Sequence, residues 1–262
     1  SIMCCGSGGF DDSTQSASGI VQGHAYALLR IEGGGVAKAC GTDERCAQVF
    51  AAMGYDAWAL NAADIAMGPQ VFVNAVMAAG GTKPVASNYD TTYTSKYANL
   101  GGAVLLAVSE TSTATYSKAV ALAIAAARDA GVDFDTTPVI LSVNGIGTAD
   151  ITDLGASSAA AAVQKLAEEN TEVDLVIATG ISGLSDGTTN WAGDLVKIAS
   201  LSASTSVQQV ALGFANGVPT SASSTTTTCS SSSKSDFVDG VMADTVDYVP
   251  IVMLCDTGTA AR

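Results

Sequence analysis

Metal binding and nucleophilic catalysis draw chiefly on His, Cys, Asp and Glu, and this chain holds one histidine, six cysteines and 25 acidic residues. His24 stands alone. One imidazole cannot assemble a metal cluster, so it reads as a loop or surface residue. The cysteines are Cys4, Cys5, Cys40, Cys46, Cys229 and Cys255, with no C-x-x-C pair and no C-x-x-C-H haem site. Cys40 and Cys46 bracket a loop short enough to close locally, either as a disulfide of an oxidising compartment or as two buried thiols. Asp11 with Asp12, Asp150 with Asp153, and Asp236 with Asp239 offer oxygens to calcium, but no EF-hand loop surrounds them. They are expected to be solvated loop carboxylates. Three glycine runs, at Gly6 to Gly9, Gly33 to Gly35 and Gly145 to Gly147, bring backbone N–H groups near an anion, yet none completes a dinucleotide or Walker pattern. Ser182 falls one residue short of a nucleophile elbow, and His24 precedes it in the chain, which argues against a serine hydrolase.

Such residues act only where a fold gathers them, and the governing pattern here is short apolar runs alternating with Ala-rich segments punctuated by Gly. That is the pattern of an α/β protein. Thr42 is expected to cap a helix with Asp43 and Glu44 in its first turn, ended by Gly54. A strand follows from Ala57 to Leu60, a Pro69-initiated helix runs to Met77, and a strand spans Val85 to Ser87. The scheme then repeats: strand Ala103 to Val108, helix Ala114 to Ala130, strand Val139 to Val143, helix Ser157 to Glu169, strand Val173 to Ala178. Strands apolar on both faces predict a sheet covered by helices on both sides. A helix from Trp191 to Ala199, a strand from Val207 to Leu212 and a closing strand from Val249 to Leu254 complete the reading. Residues 219–235, nearly all Ser and Thr, read as a long exposed loop carrying Cys229.

The text MGYDAWALNAADIAMGPQVFVNAVMAAGGTKPVASNYD, Met53 to Asp90, carries a resemblance. It is similar to the calcineurin-like metallophosphoesterase domain of the 5'-nucleotidase family, where a G-Y-D-A strand leads into a G-N-H-(D/E) metal loop. Gly68, Val71 to Met77 and Val85 to Asn88 occupy the places of that family's next helix and strand. VDLVIATGISG at 173–183 resembles its Ser-His loop, GFANG at 213–217 its G-H-T-H loop, and VPIVMLCDTG at 249–258 the strand that follows. Together these cover roughly two thirds of the chain in the family's order. The resemblance implies a layered α/β sandwich with mixed sheets and flanking helices, in one domain over residues 1–262.

In that family Asp, Asn and His side chains hold two metal ions whose bridging hydroxide attacks phosphorus. Here the metal loop reads Leu60, Asn61, Ala62, Ala63, Asp64, which leaves Asn61 or Ala62 at the Asn and Ala63 at the His. Asp64 reads as a helix-start or loop carboxylate. Thr179 replaces the next His, and Phe214 with Asn216 replaces the last two. Ser1 to Gly9 carries Cys4, Cys5 and glycines where an Asp-x-His pair belongs. The implied site is vestigial, with no catalytic residue, no metal and no cofactor.

The remaining composition fits that expectation. Eleven basic against 25 acidic residues give a formal charge of -14, which repels nucleic acid. Hydrophobic residues make up 48%, enough for a core, but no run approaches the roughly 20 apolar residues of a membrane span. No basic n-region or apolar h-region opens the chain, so any signal peptide is expected to have been removed, leaving a mature form from Ser1. Charged residues total 14%, and small hydroxyl residues abound, as in cell-surface proteins and homo-oligomeric assemblies. The expected function is an extracytoplasmic module, periplasmic, cell-surface or secreted, that is non-catalytic and structural or binding, as a subunit of a surface assembly or with a small-molecule ligand that the sequence does not identify. The alternative is a hydrolase of phosphate esters or nucleotides with a rebuilt metal site.

Overall fold

The computed structural model describes residues 31–89, 91–110 and 116–184 with their side chains, and the backbone of 187–191, 194–201, 206–215 and 218–228. In chain order the elements are β1 (Ile31–Glu32), α1 (Val36–Cys40), α2 (Glu44–Ala52), β2 (Ala57–Trp58), α3 (Ala62–Ala66), α4 (Gln70–Ala78), β3 (Tyr97–Asn99), β4 (Val104–Ser109), α5 (Tyr116–Asp129) and β5 (Val139–Asn144). They continue with α6 (Thr148–Asp153), α7 (Ala159–Glu169), β6 (Leu175–Thr179), β7 (Gly187–Trp191), β8 (Asp194–Leu201), β9 (Ser206–Ala215) and β10 (Val218–Thr228). Among the described residues, no helix is long and apolar enough to cross a membrane.

The parallel strands follow one another in chain order. β1 pairs with β2 in parallel, Leu60 N–H reaches Val85 O, and Ser87 N–H reaches Ala107 O beside β4. From β4 the sheet runs in parallel through β5 and β6 to β8, with β3 and β7 antiparallel. Side chains alternate across it. Val104, Leu106, Val108, Leu141, Val143, Val176 and Ala178 pack with α5 and α7, while Leu105, Ala107, Ile140 and Leu175 share the opposite face with Ala57, Ala59 and Val85. Trp58 and Leu60 then point to the same side as α1, α2 and α4. The described helices therefore cover one face, not both. Right-handed crossovers joining parallel strands in sequential order place every connecting helix on the same side.

Local chemistry explains most boundaries. Asp43, not Thr42, caps α2, its carboxylate accepting from the N–H groups of Arg45 and Cys46. A carboxylate outranks a hydroxyl at the positive end of the helix dipole. Cys40 and Cys46 form a disulfide with Cα atoms 5.7 Å apart, joining the end of α1 to the start of α2. A peptide map without reduction is expected to recover those two cysteines in one linked species.

Two expected elements also differ. Trp191 to Ala199 is no helix: β7 ends at Trp191, and β8 lies parallel to β6 with Leu175 opposite Lys197. The alternating, β-branched Val196 and Ile198 suit a strand, and pairing with β6 overrides any helical period. Residues 219–228, read as loop, form most of β10, antiparallel to β9 with Ala222 opposite Leu212 and Thr228 opposite Ser206. Thr is β-branched, and β9 supplies the backbone partners that a hydrophobic pattern cannot reveal. Residues 229–235, the strand from Val249 to Leu254, and the opening segment Ser1 to Gly9 lie outside the described residues.

Trp58 is fully buried, edge-on to Phe50 and Phe72 at 5.1 and 5.9 Å, and its indole N–H donates to Thr82 O at 2.8 Å. In a Trp191→Phe protein, where Trp58 is the remaining indole of two, emission is expected to be blue-shifted and resistant to acrylamide. Emission like that of free indole would contradict this burial.

Candidate functional site

Polar side chains gather where the parallel strands end. Ser109, Asn144 and Thr179 are the last residues of β4, β5 and β6 and pair in register, so they stand side by side on one face of the sheet. Asn61 follows β2, and Asn88 follows the Val85 to Ser87 segment. In open parallel sheets the crevice outside the carboxyl ends of the strands is where ligands bind. Thr179 is visible in sequence through its resemblance. Ser109 and Asn144 are missed there, although both close apolar runs as Thr179 does.

Each group's hydrogen bonds decide what it can still do. Asn88 Nδ2 donates to Ser109 O at 2.7 Å and its Oδ1 accepts the Ser109 N–H at 3.2 Å, so its amide acts as a further peptide of the sheet. The Ser109 hydroxyl donates to Leu60 O. Asn61 caps α3: Oδ1 accepts the Asp64 N–H at 2.9 Å, and Asp64 Oδ2 accepts the Asn61 N–H at 3.0 Å, a reciprocal capping box. Asn144 Nδ2 donates to Ser142 Oγ at 3.3 Å, while Asn144 Oδ1 and Thr179 Oγ1 are buried atoms with no hydrogen-bond partner.

Asp64 is fully buried and ties two segments together. Besides Asn61, it accepts Gly35 N–H at 2.6 Å and Lys38 N–H at 2.7 Å, binding the loop after β1 to α3. Burial pushes its carboxyl above the ordinary 3.8, and the N–H groups of Asn61, Gly35, Lys38 and Ala37 pull it back. Gly34 must be glycine here: its φ is +109°, and a Cβ would lie 2.8 Å from the Asn61 nitrogen. Ala63 sits half-buried in α3, Phe214 lies in β9, and Asn216 and His24 lie outside the described residues.

A second polar group stands beyond β4 and β5. Asp150, expected to be solvated, is buried and caps α6 by accepting the Gly147 N–H at 3.0 Å, while Asp153 is exposed. A Cβ at Gly147 would lie 2.9 Å from Glu110 Oε1 and 3.3 Å from Asp150 Oδ2, so two carboxylates converge on this turn. Burial pushes the Asp150 carboxyl upward, the Gly147 N–H opposes it, and the charges of Glu110 and Asp153 add to the rise. The Tyr116 hydroxyl donates to Gly145 O at 3.1 Å, and burial, then Asp150 and Glu110, hold it as neutral phenol. A carboxyl raised on folding contributes stability below its unfolded value and loses it as pH climbs through the folded value. Ionised Asp150 therefore costs stability at neutral pH. Glu110→Gln is expected to raise Tm at neutral pH, by an amount that fades below the ordinary carboxylate range; a fall in Tm at neutral pH would refute the repulsion.

Among the described residues, no three His, Cys, Asp or Glu side chains converge as a metal-binding group. What the strand ends bring together is a row of neutral amides and hydroxyls, with two buried carboxylates: Glu32, which ends β1 and accepts the Gly34 N–H at 2.8 Å, and Asp64, held by three backbone N–H groups. Such a row binds and orients. Among the described residues it holds no imidazole.

No family model matches the chain, and no curated protein matches it. Among solved structures, the sulfate thiohydrolase SoxB of Thermus thermophilus, in complex with glycerol, aligns with a TM-score of 0.53 at 15% identity. The alignment covers 76% of this chain and 38% of SoxB, so the chain spans well under half of that protein. The likeness is one of fold alone: a layered α/β architecture with a mixed sheet and flanking helices.

Proposed function

We propose that the chain is a degenerate, non-catalytic 5'-nucleotidase-like domain acting outside the cytoplasm as a structural or binding module, in a homo-oligomer or a surface assembly. The observation that carries this reading is the use made of the loop after β2. Asn61 and Asp64, the residues there with metal-ligand chemistry, spend their side chains on each other's backbone and on the loop after β1. Ala63 contributes a methyl group where the resembled family has an imidazole. Thr179 offers a neutral hydroxyl at the end of β6, a weak ligand for zinc or iron. The dinuclear metal centre of the resembled family does not fit this donor set, so no hydrolytic step is derived through it. SoxB is a hydrolase by name, and the alignment covers 38% of it. The Cys40–Cys46 disulfide suits an oxidising compartment.

The test joins elemental analysis of the purified protein to a phosphomonoester and nucleotide assay. The reading requires no stoichiometric zinc, manganese or iron and no turnover above background. Turnover abolished by a chelator, with metal present in proportion to protein, would establish a rebuilt hydrolase instead. Native mass measurement tests the assembly: a monomer at all concentrations would remove the oligomer.

A further inference from the structure

We infer that Asn144 and Thr179, beside Gly33, form an oxygen-lined site for a single hard cation, best suited to calcium. The inference rests on the reading above, that no dinuclear catalytic centre occupies these strand ends. Asn144 is 3% exposed, and with its Nδ2 given to Ser142 its Oδ1 has no partner. Thr179 Oγ1, in register on the neighbouring strand, has none either. Buried polar atoms are paired in nearly all native proteins, because leaving one without a partner forfeits its hydration for nothing. Two such atoms side by side call for a ligand.

Both oxygens converge on one place. A Cβ added to Gly33 would lie 3.6 Å from Thr179 Oγ1 and 3.8 Å from Asn144 Oδ1, ordinary contact distances. Gly33 thus leaves a space of about one methyl group beside both oxygens, enough for an ion or a water and too small for a sugar or a base. Asn144 Oδ1 can only accept, so an anion is repelled and the occupant is a donor or a cation. Charge favours the cation. Glu32 precedes Gly33, Asp64 holds the N–H of Gly35, Glu110 follows Ser109, and the chain carries -14 overall. Every donor is an oxygen, which selects a hard ion, and an irregular set completed by water suits calcium better than the strict octahedron of magnesium. With two neutral protein donors the affinity falls among weak calcium sites, at about 10⁻⁴–10⁻³ M.

The experiment uses the full chain, stripped with a chelator, and follows Tm against calcium chloride, magnesium chloride and inorganic phosphate. A saturable rise with calcium, a smaller one with magnesium and none with phosphate are expected. Asn144→Asp, nearly isosteric and adding a charge at the proposed ligand, should tighten calcium about tenfold. Thr179→Val should weaken it, with circular dichroism showing both variants folded. A Tm indifferent to calcium overturns the site, as does a calcium response equal in wild type and both variants, which places the ion elsewhere. A response to phosphate that Asn144→Asp abolishes also overturns it, since the amide then presents its NH₂ group. Calcium binding without phosphoesterase turnover leaves the non-catalytic reading standing. Zinc-, manganese- or iron-dependent turnover removes that reading whatever calcium does.

Discussion

Replacing Asp64 by alanine is expected to cost about 3 kcal/mol of folding stability at neutral pH, read as a fall of roughly 6–12 °C in Tm. The carboxylate accepts N–H groups from three residues in two segments: Gly35 and Lys38 at the start of α1, and Asn61 after β2. Alanine leaves all three without their acceptor in a place that water reaches poorly, since Asp64 is fully buried. Each loss costs about 1–3 kcal/mol, reduced where water can follow. Asparagine is the sharper control. Its oxygen can keep the bonds of Gly35 and Asn61, but its NH₂ then confronts the Lys38 N–H, donor against donor, and the opposite orientation confronts two. At least half the alanine loss is therefore expected in Asp64→Asn. A Tm within about 1 °C of wild type for either variant would mean that the tie holds nothing together.

The same tie explains why the sequence could be read so unevenly. Parallel strands and their helices announce themselves through apolar period: β4, β5, β6, α4, α5 and α7 lie within a few residues of where the pattern puts them. Asp64 was legible as a helix-start or loop carboxylate, while Asn61, read as a vestigial ligand position, proves to be its partner in a capping box closed within one turn. That Asp64 also reaches Gly35 and Lys38 was not legible, since nothing in a sequence shows that two loops 29 and 26 residues apart converge. β8 and β10 were lost for a related reason. β8 is held by pairing with β6, and β10 folds back on β9 as a hairpin with Val218 opposite Ala215, so in both cases strand pairing decides the conformation against weak local preference.

Candidate site residues divide along the same line. Thr179 was reached through resemblance, because its loop retains the length and glycines of the motif after the imidazole has gone. Ser109 and Asn144 match no motif. They become a site only through register, when Ser109, Asn144 and Thr179 fall in one row. The orphaned oxygens of Asn144 and Thr179 are likewise a property of packing, since an Asn in a sequence carries no sign of whether its carbonyl has a donor.

Returning histidine to the vestigial positions is expected to leave phosphate-ester hydrolysis at background, for Ala63→His alone and for Ala63→His with Thr179→His. Catalysis of this kind needs two metals close enough to share a hydroxide, and on phosphate monoesters the full enhancement reaches on the order of 10²¹. An imidazole at position 63 would enter α3 one residue before Asp64, yet Asp64 cannot turn to join it without releasing Gly35, Lys38 and Asn61. Asn61 is held in the same way, because freeing its side chain uncaps α3. The new ligands would thus stand without the partners that must converge with them, while the sequence offers Phe214 and Asn216 in place of the remaining imidazoles. At best such a protein captures one ion weakly, and a lone, poorly held ion does not place an attacking hydroxide in line with a phosphorus atom. Turnover of a chromogenic phosphomonoester with added zinc or manganese is the measurement. A chelator-sensitive gain above about tenfold in either variant would show that the missing imidazoles, and not the committed carboxylate, keep this fold silent.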